Sequence, residues 1–349
     1  MQRVFLVLLF AHLSLLYAIP SPNCQGVFKK IGARKLYAPL LSTNDEALRT
    51  TKINTTFPSP NIFSPAPEKW LAPDSEYTQQ MATRRELYAK RSSDILKIQP
   101  GQEEGVRSAA QEFLEMTGKH LIAQFPGEFS QDGLTLKSKS TGAVVSLDST
   151  SGPHPLEKLG MLLQDDVTVN LKQTDGKVIL AGGFLATPTN WSLQDFIGVD
   201  VHAIHAGIPE YENRLKKTVE GTVERGVRGK CIARNNWFLV TNPELALPSY
   251  RRSTYKEPAI TETNVGSNLF LRSELESIVN LPVSGATIFT IRPRVWSMEF
   301  VKANAPEVAK NLATAIQLPE SGYSEMEWKK PLLKFLSETP PANEELKPQ

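Results

Sequence analysis

Beyond residue 70 the apolar positions follow two periods in turn. Helical spacing comes first: Tyr77, Met81, Leu87 and Tyr88 lie among charges in DSEYTQQMATRRELYAKRSSDIL. Ala109, Phe113, Met116 and His120 or Leu121 then make a cleaner stripe, which Gln124-Phe125-Pro126-Gly127 ends. His154-Pro155 opens a short helix carrying Leu156, Leu159 and Leu163, because the restricted φ of proline suits a first helical turn. The period then changes to two. Val167, Val169 and Leu171 alternate with polar residues, Asp175-Gly176 supplies a tight turn, and Val178 to Phe184 returns, which predicts a β-hairpin.

Pro209 starts another helix, in which Leu215, Val219 and Val223 recur every four residues while Lys216, Lys217 and Glu220 face outward. Cys231 to Val240, Asn268 to Leu275 and Ala286 to Arg292 read as strands, the last two separated by Pro282 and Gly285. Helices over Pro306 to Leu318 and Ser324 to Leu336, the second interrupted by Pro331, close the pattern. Helices around a mainly hairpin-connected sheet predict an α+β fold and not a doubly wound parallel sheet.

The two ends break both periods. Val4 to Ile19 is a mostly apolar run behind a single Arg3, longer than a typical signal core and shorter than the ~20 residues of a full span. Leu16 occupies a position where a small residue is preferred for cleavage after Ala18, while Lys29, Lys30, Arg34 and Lys35 outnumber Arg3. Cleavage and retention both stay open. The charge asymmetry favours an anchor in the endoplasmic reticulum membrane with the main domain facing the cytosol, over the secretory lumen or secretion. Two sequons, at Asn54 and Asn190, would matter only in a lumenal domain. The chain thus divides into a signal peptide or membrane anchor over 1–22, a Pro/Ser-rich linker or arm over 23–67, a folded domain over 68–338 and a flexible tail over 339–349.

Composition narrows the chemistry. With 349 residues, 40% hydrophobic and 22% charged, the chain can bury one large core or two modest ones. A net charge of +2, from 39 basic and 37 acidic side chains, offers no broad positive field, so nucleic acid is not an expected partner. Two cysteines, Cys24 and Cys231, exclude a disulfide framework and argue against an iron–sulfur cluster or a thiolate zinc site.

The familiar catalytic signatures are missing: there is no GxSxG, no HExxH, no P-loop and no GxGxxG after a strand. Asp165 and Asp166 are adjacent, hence on opposite faces of a strand, and read as a solvated strand entry. Of five histidines, His202 and His205 stand three apart just before the Pro209 helix, a spacing that brings both towards one point if the segment is helical. No third Cys or carboxylate follows at ligand spacing, so packed or exposed histidines remain the default for this pair.

Longer ordered patterns change that default. Trp191, Ile197-Gly198, Ile204-His205, Ile208-Pro209 and Tyr211 form one, and Arg234, Asn236 and Trp237 form an R-x-N-W. A third is LRSELESIVNLPVSGATIFTIR, from Leu271 to Arg292, and Gln164-Asp165-Asp166, Phe125-Pro126 and Trp328-Lys329 flank them. On these motifs the chain resembles, between about Trp70 and Leu336, the haem-dependent oxidative N-demethylase alpha-subunit-like family. It departs from the family at Leu275, Glu276, Ser277 and Asn280. Arg272, Glu274 and Glu276 share one face of a strand, so an acidic Glu276 either alters a ligand contact or belongs to a surface charge ladder.

The resemblance implies a PAS-like α+β fold, with a five-stranded antiparallel sheet and flanking helices enclosing haem b (heme b), an iron cofactor. His205 becomes the expected axial metal ligand through a neutral imidazole nitrogen, with capping or packing against the next helix as the other reading. Arg234, Arg272 and Arg292 become cofactor-binding residues whose guanidinium groups suit propionates, and Trp237 a flat wall for the macrocycle. The implied reaction is oxidative removal of a methyl group from a small amine with dioxygen and two electrons, releasing formaldehyde. A separate reductase or electron-transfer protein is then the expected partner, beside the small-molecule substrate and the membrane attachment of the N-terminal segment. The alternative is a PAS-like module that binds or senses haem or a small ligand without turnover.

Overall fold

The computed structural model describes residues 43–54, 61–149, 152–224, 226, 229–249 and 256–338. The apolar leader, most of the arm and the tail lie outside these residues, as does part of the Asn54 sequon. Among the described residues no helix is long and apolar enough to cross a membrane.

The first described element, α1 (Asp45–Thr50), is capped by the Asn44 side chain, which accepts from the Ala47 amide at 2.8 Å. An edge strand β1 (Ile62–Phe63) follows, then α2 (Tyr77–Ile95), β2 (Leu96–Ile98) and α3 (Glu103–Gln124). Three short strands, β3 (Phe129–Asp132), β4 (Thr135–Ser138) and β5 (Val144–Ser146), form a small sheet of their own. The helix α4 (Pro155–Leu162) leads into the hairpin of β6 (Asp166–Lys172) and β7 (Val178–Phe184). Two short helices, α5 (Leu193–Phe196) and α6 (Val201–His205), precede a longer helical stretch over residues 211–224. That stretch runs as a π turn (Tyr211–Leu215), α7 (Lys216–Val219) and a second π turn (Glu220–Glu224). The apolar spacing of four seen at Leu215, Val219 and Val223 exceeds the 3.6-residue α period, and the wider π turns keep those side chains in line.

The remaining elements are β8 (Cys231–Val240), α8 (Val265–Asn268), β9 (Phe270–Asn280), β10 (Thr287–Ser297), α9 (Met298–Asn304), α10 (Pro306–Ala315) and α11 (Lys329–Ser337). The main sheet has seven strands in the order β1-β8-β9-β10-β6-β7-β2, and each neighbouring pair is antiparallel. The α+β class expected from the pattern is therefore the class observed. Two strand ends differ from expectation: β9 continues to Asn280 and β10 to Ser297. Pro293 masked the extension of β10. Pairing with β6 stops at Ile291, so the missing N–H of Pro293 interrupts no ladder on that side. Pro331 likewise does not interrupt a helix but lies in the first turn of α11, where an N–H has no helical partner.

Alternation assigns the two faces of the sheet. Val167, Val169, Val279 and Ile288 pack with α2, α3 and α4 in one core, and Gly160 of α4 sits so close to Phe184 that a Cβ there would lie 2.5 Å from the ring. Trp237, Leu271 and Trp296 continue the same face towards the C-terminal helices, in a second core with Val301, Leu312 and Leu332. The opposite face carries Thr168, Asn170, Ile278, Thr287 and Phe289 between those positions, and this is the face that meets residues 211–224.

Candidate functional site

Between that face and residues 211–224 lies an open-mouthed pocket, with ≈ 850 Å³ of empty space when the solvent at its mouth is included. The sheet contributes Thr168, Asn170, Leu180, Ile278, Thr287 and Phe289, and the helix contributes Leu215, Thr218, Val219, Thr222 and Val223. Val201, Ile204 and His205 of α6, with Trp191, Ile62 and Arg234, complete the lining. Among the described residues the walls are thus aliphatic and aromatic, relieved by threonine hydroxyls, the Asn170 amide, the His205 imidazole and the Arg234 guanidinium.

Asp200 aims the imidazole by accepting from the His202 amide at 2.9 Å and the Ala203 amide at 3.4 Å, which starts α6 and places His205 at its last turn. His205 is buried, and its Nδ1 donates to the Val201 carbonyl at 2.6 Å. Since a carbonyl can only accept, the proton belongs to Nδ1 and the lone pair of the neutral ring to Nε2. Burial, opposed by that hydrogen bond and assisted by the charge of Arg234, brings the pKa of His205 down to about 4. The imidazole is therefore neutral at physiological pH, the form that can ligate a metal. The Tyr211 ring stacks on it, 5.5 Å between centroids and 12° from parallel.

His202 does not share the site. Its Nδ1 is 2.6 Å from the Tyr211 hydroxyl and its Nε2 2.5 Å from Glu224, so the spacing of three does not converge the two histidines on one ion. Among the described residues no group of three or more His, Cys, Asp or Glu side chains is placed to hold a metal ion.

Among the described residues Arg234 is the guanidinium that lines the pocket. Only 8% of the residue is exposed, and neither Nε nor one of its terminal nitrogens has a hydrogen-bond partner among the described residues. Its nearest countercharge is Glu276 directly across the β8–β9 ladder, 3.4 Å from Nε but not aligned as a hydrogen bond. Burial pushes the Glu276 carboxyl up to about 7, with Arg234 opposing and Glu274 assisting the rise. The surface charge ladder considered for Glu276 is ruled out, because the residue is 1% exposed.

The other expected site residues do different work. Arg272, on the same sheet face as Arg234, is fully buried and donates to Glu274, to the Leu245 carbonyl at 3.0 Å and to the Thr187 carbonyl at 2.8 Å. It ties two loops to β9 and does not line the pocket. Arg292 projects from the opposite face, where it binds Asp165 at 2.6 Å and also reaches Gln164, Asp74 and the Ala72 carbonyl. Trp237 likewise leaves the pocket side and stacks on Tyr323 in the C-terminal core. The two faces of β8 explain this separation, since Arg234 and Trp237 are three residues apart.

Gln164, Asp165 and Asp166 are not a solvated strand entry, and each is at most 4% exposed. Asp165 takes the Arg292 fork; Asp166 takes Arg84 at 2.7 Å and accepts from the Ala186 and Thr187 amides and the Thr187 hydroxyl. Adjacent acids do point to opposite partners, as strand geometry requires, but both are structural. Cys231 is a free thiol whose pKa burial pushes up to about 12, which leaves it unreactive.

Sequence reasoning did not identify the threonines of the pocket or the contribution of Ile62. The signal was present in β6 and β10, where Thr168, Asn170 and Thr287 occupy the polar phase of an alternating strand. A polar phase reads as solvent-facing until something is known to cover it. The model of the family described as haem-dependent oxidative N-demethylase, alpha subunit-like, matches residues 61–331, and the chain belongs to that family.

Proposed function

We propose that the pocket holds haem b and that the protein is a haem-dependent monooxygenase acting on a small N-methyl amine. The observation that carries this reading is the pairing, in one apolar pocket, of a neutral imidazole held by the Val201 carbonyl with a buried guanidinium that has uncommitted donors. The family's haem dependence supports it. The donor set fits the cofactor. His205 would hold the iron through Nε2, and the Nδ1 hydrogen bond to Val201 both orients the ring and raises its basicity as a ligand. Arg234 would meet a propionate, a carboxylate that completes hydrogen bonding left undone by Glu276. Val201, Ile204, Leu180, Ile278 and Phe289 line the pocket with apolar side chains and would exclude water from a bound macrocycle.

Bound haem supplies the oxygen-activating redox chemistry; the chain's own residues bind, orient and desolvate. Thr168, Thr218, Thr222 and Thr287 bring hydroxyl oxygens to a mostly apolar wall; those of Thr222 and Thr287 already donate to the Thr218 and Val223 carbonyls, so towards a small polar substrate they could act as acceptors. The electrons come from a separate reductase or electron-transfer protein, since the sequence has no dinucleotide fingerprint and too few cysteines for an iron–sulfur relay. That the family is named for an alpha subunit supports such partners. The PAS-like arrangement belongs to the same proposal, with one correction: the antiparallel sheet has seven strands where five were expected, and the antiparallel pairing with a helix over the pocket face is what supports it. A cytosol-facing anchor from the apolar leader would suit docking of the reductase, and protection of the domain from protease inside sealed microsomes would contradict that placement.

The test is turnover. Haem-loaded protein, given a surrogate reductase and dimethylamine or related N-methyl amines, should consume dioxygen and release formaldehyde in equal amounts. Tight haem binding without reductase-dependent oxygen uptake for any amine would overturn the monooxygenase reading and leave a sensor.

A further inference from the structure

The His202 imidazole does not line the pocket, yet it holds both ends of the helix that does. At one end Nδ1 lies 2.6 Å from the hydroxyl of Tyr211, the first residue of the π turn; at the other Nε2 lies 2.5 Å from Glu224, the last residue of the stretch. Between them Leu215, Thr218, Val219, Thr222 and Val223 form the outer wall of the pocket. Burial holds the Tyr211 hydroxyl well above its ordinary pKa, so it stays protonated and donates to Nδ1 while Nε2–H donates to Glu224. One imidazole ring thus reaches both contacts at once.

The covering helix packs apart from the two large cores. Among the described residues its apolar side forms a small cluster of Ile208, Tyr211, Leu215 and Val219. At its far end, among the described residues, a neutral hydrogen bond from the Thr287 hydroxyl to the Val223 carbonyl at 2.8 Å ties it to β10. An element with few buried apolar contacts opens at lower free energy than the sheet beneath it. The clamp also sits at the rim, with the His202 and Glu224 side chains 25% and 23% exposed, so water can replace their contact when the helix lifts. The stack of Tyr211 on His205 connects the clamp to the proposed iron ligand.

We propose that His202 is a positioning residue that pins the covering helix at both ends, keeps Tyr211 stacked on His205, and so sets how fast the occupant of the pocket enters and leaves. For the identity of that occupant the proposal rests on the haem reading above. The covering helix would then open as a unit when the Glu224 contact breaks, hinged at the Tyr211 end, where the stack persists.

The experiment uses the full chain as wild type, His202→Ala, Glu224→Ala and Tyr211→Phe. Two rates are measured: haemin transfer to excess apomyoglobin, and amide hydrogen exchange across residues 211–224 in haemin-free protein. Both should rise about tenfold in His202→Ala and Glu224→Ala, as loss of a charge-assisted contact predicts. Tyr211→Phe should rise less, since the ring stack survives, and His202→Gln should recover part of the loss. Exchange in β9 and β10 should not change, which separates the clamp from general destabilisation; Glu224→Ala serves if His202→Ala does not fold. Unchanged exchange over 211–224 in these variants would overturn the proposal. If no variant takes up haemin the cofactor reading fails, and amide exchange still decides the clamp.

Discussion

Acid should destabilise the haemin-free protein through His205, and a His205→Gln variant should lose that part of the pH dependence. Burial holds the folded imidazole down to about 4, against an ordinary histidine value of about 6.5 in the unfolded chain. Between those values the unfolded state binds the proton and the folded state does not, so stability falls as pH falls. The contribution is intact above 6.5 and lost on the way down to 4. Integrating the two titrations from pH 7 to pH 5 gives about 2 kcal/mol, and the full shift about 3 kcal/mol. Glutamine can still donate to the Val201 carbonyl but cannot titrate, and other acid-sensitive groups cancel in the comparison, His154 among them, itself held to about 4 mainly by burial. Urea unfolding followed by tryptophan fluorescence at pH 7, 6 and 5 provides the assay. With an m-value of ~2 kcal/mol per molar, the midpoint of the wild type should fall by roughly 1 M more than that of the variant over this range. Parallel curves for the two proteins would refute a buried neutral imidazole at position 205.

Other outcomes follow from the same geometry. Arg234→Leu should weaken haemin binding about ten- to hundredfold in an absorbance titration, the range expected for a hydrogen bond to a charged group; unchanged affinity would place the propionates elsewhere. Asp166→Ala should cost about 3–5 kcal/mol in thermal or urea unfolding, because it leaves Arg84 buried without its countercharge. Glu276, with its carboxyl pushed up to about 7, loses stability for the wild type as pH rises from the ordinary carboxylate range through 7, so the stability of Glu276→Gln relative to wild type should improve between pH 5 and pH 8. A constant difference over that range would show that Glu276 stays ionised beside Arg234. Gly160→Ala should destabilise by about 1–3 kcal/mol through overpacking against Phe184, and a neutral result in a thermal melt would contradict the close approach of α4 to β7.

The sequence showed most where period and packing agree. The long helices α2 and α3, the β6–β7 hairpin and β8 stand where the apolar spacing put them, because each has one buried face and a clear punctuating turn. The sheet of β3, β4 and β5 escaped notice because its strands are three or four residues long and bury only Phe129, Leu136 and Val145 as apolar anchors. Within the site, His205 and Arg234 could be read from ordered motifs, but their neighbours in those motifs could not be assigned. Arg272, Arg292 and Trp237 have the side chains a haem site uses, and sequence alone does not say which face of a seven-stranded sheet meets the pocket and which the core. Glu276 had the opposite ambiguity: an acid in a strand full of charges looks solvated, and only the ladder opposite Arg234 shows it buried.

In the proposed complex His205 would carry the iron of a haem held in this pocket. Absorption spectra of haemin-titrated wild type and His205→Ala, oxidised, reduced with dithionite, and reduced under carbon monoxide, test it most directly. The wild type should bind haemin in a one-to-one ratio with a sharp Soret band that shifts on reduction and again with carbon monoxide, in the manner of an imidazole-ligated haem. His205→Ala should lose that signature or bind far more weakly, with imidazole added to the solution restoring part of it. Identical spectra and affinities for the two proteins, or no Soret band in the wild type, would contradict the account.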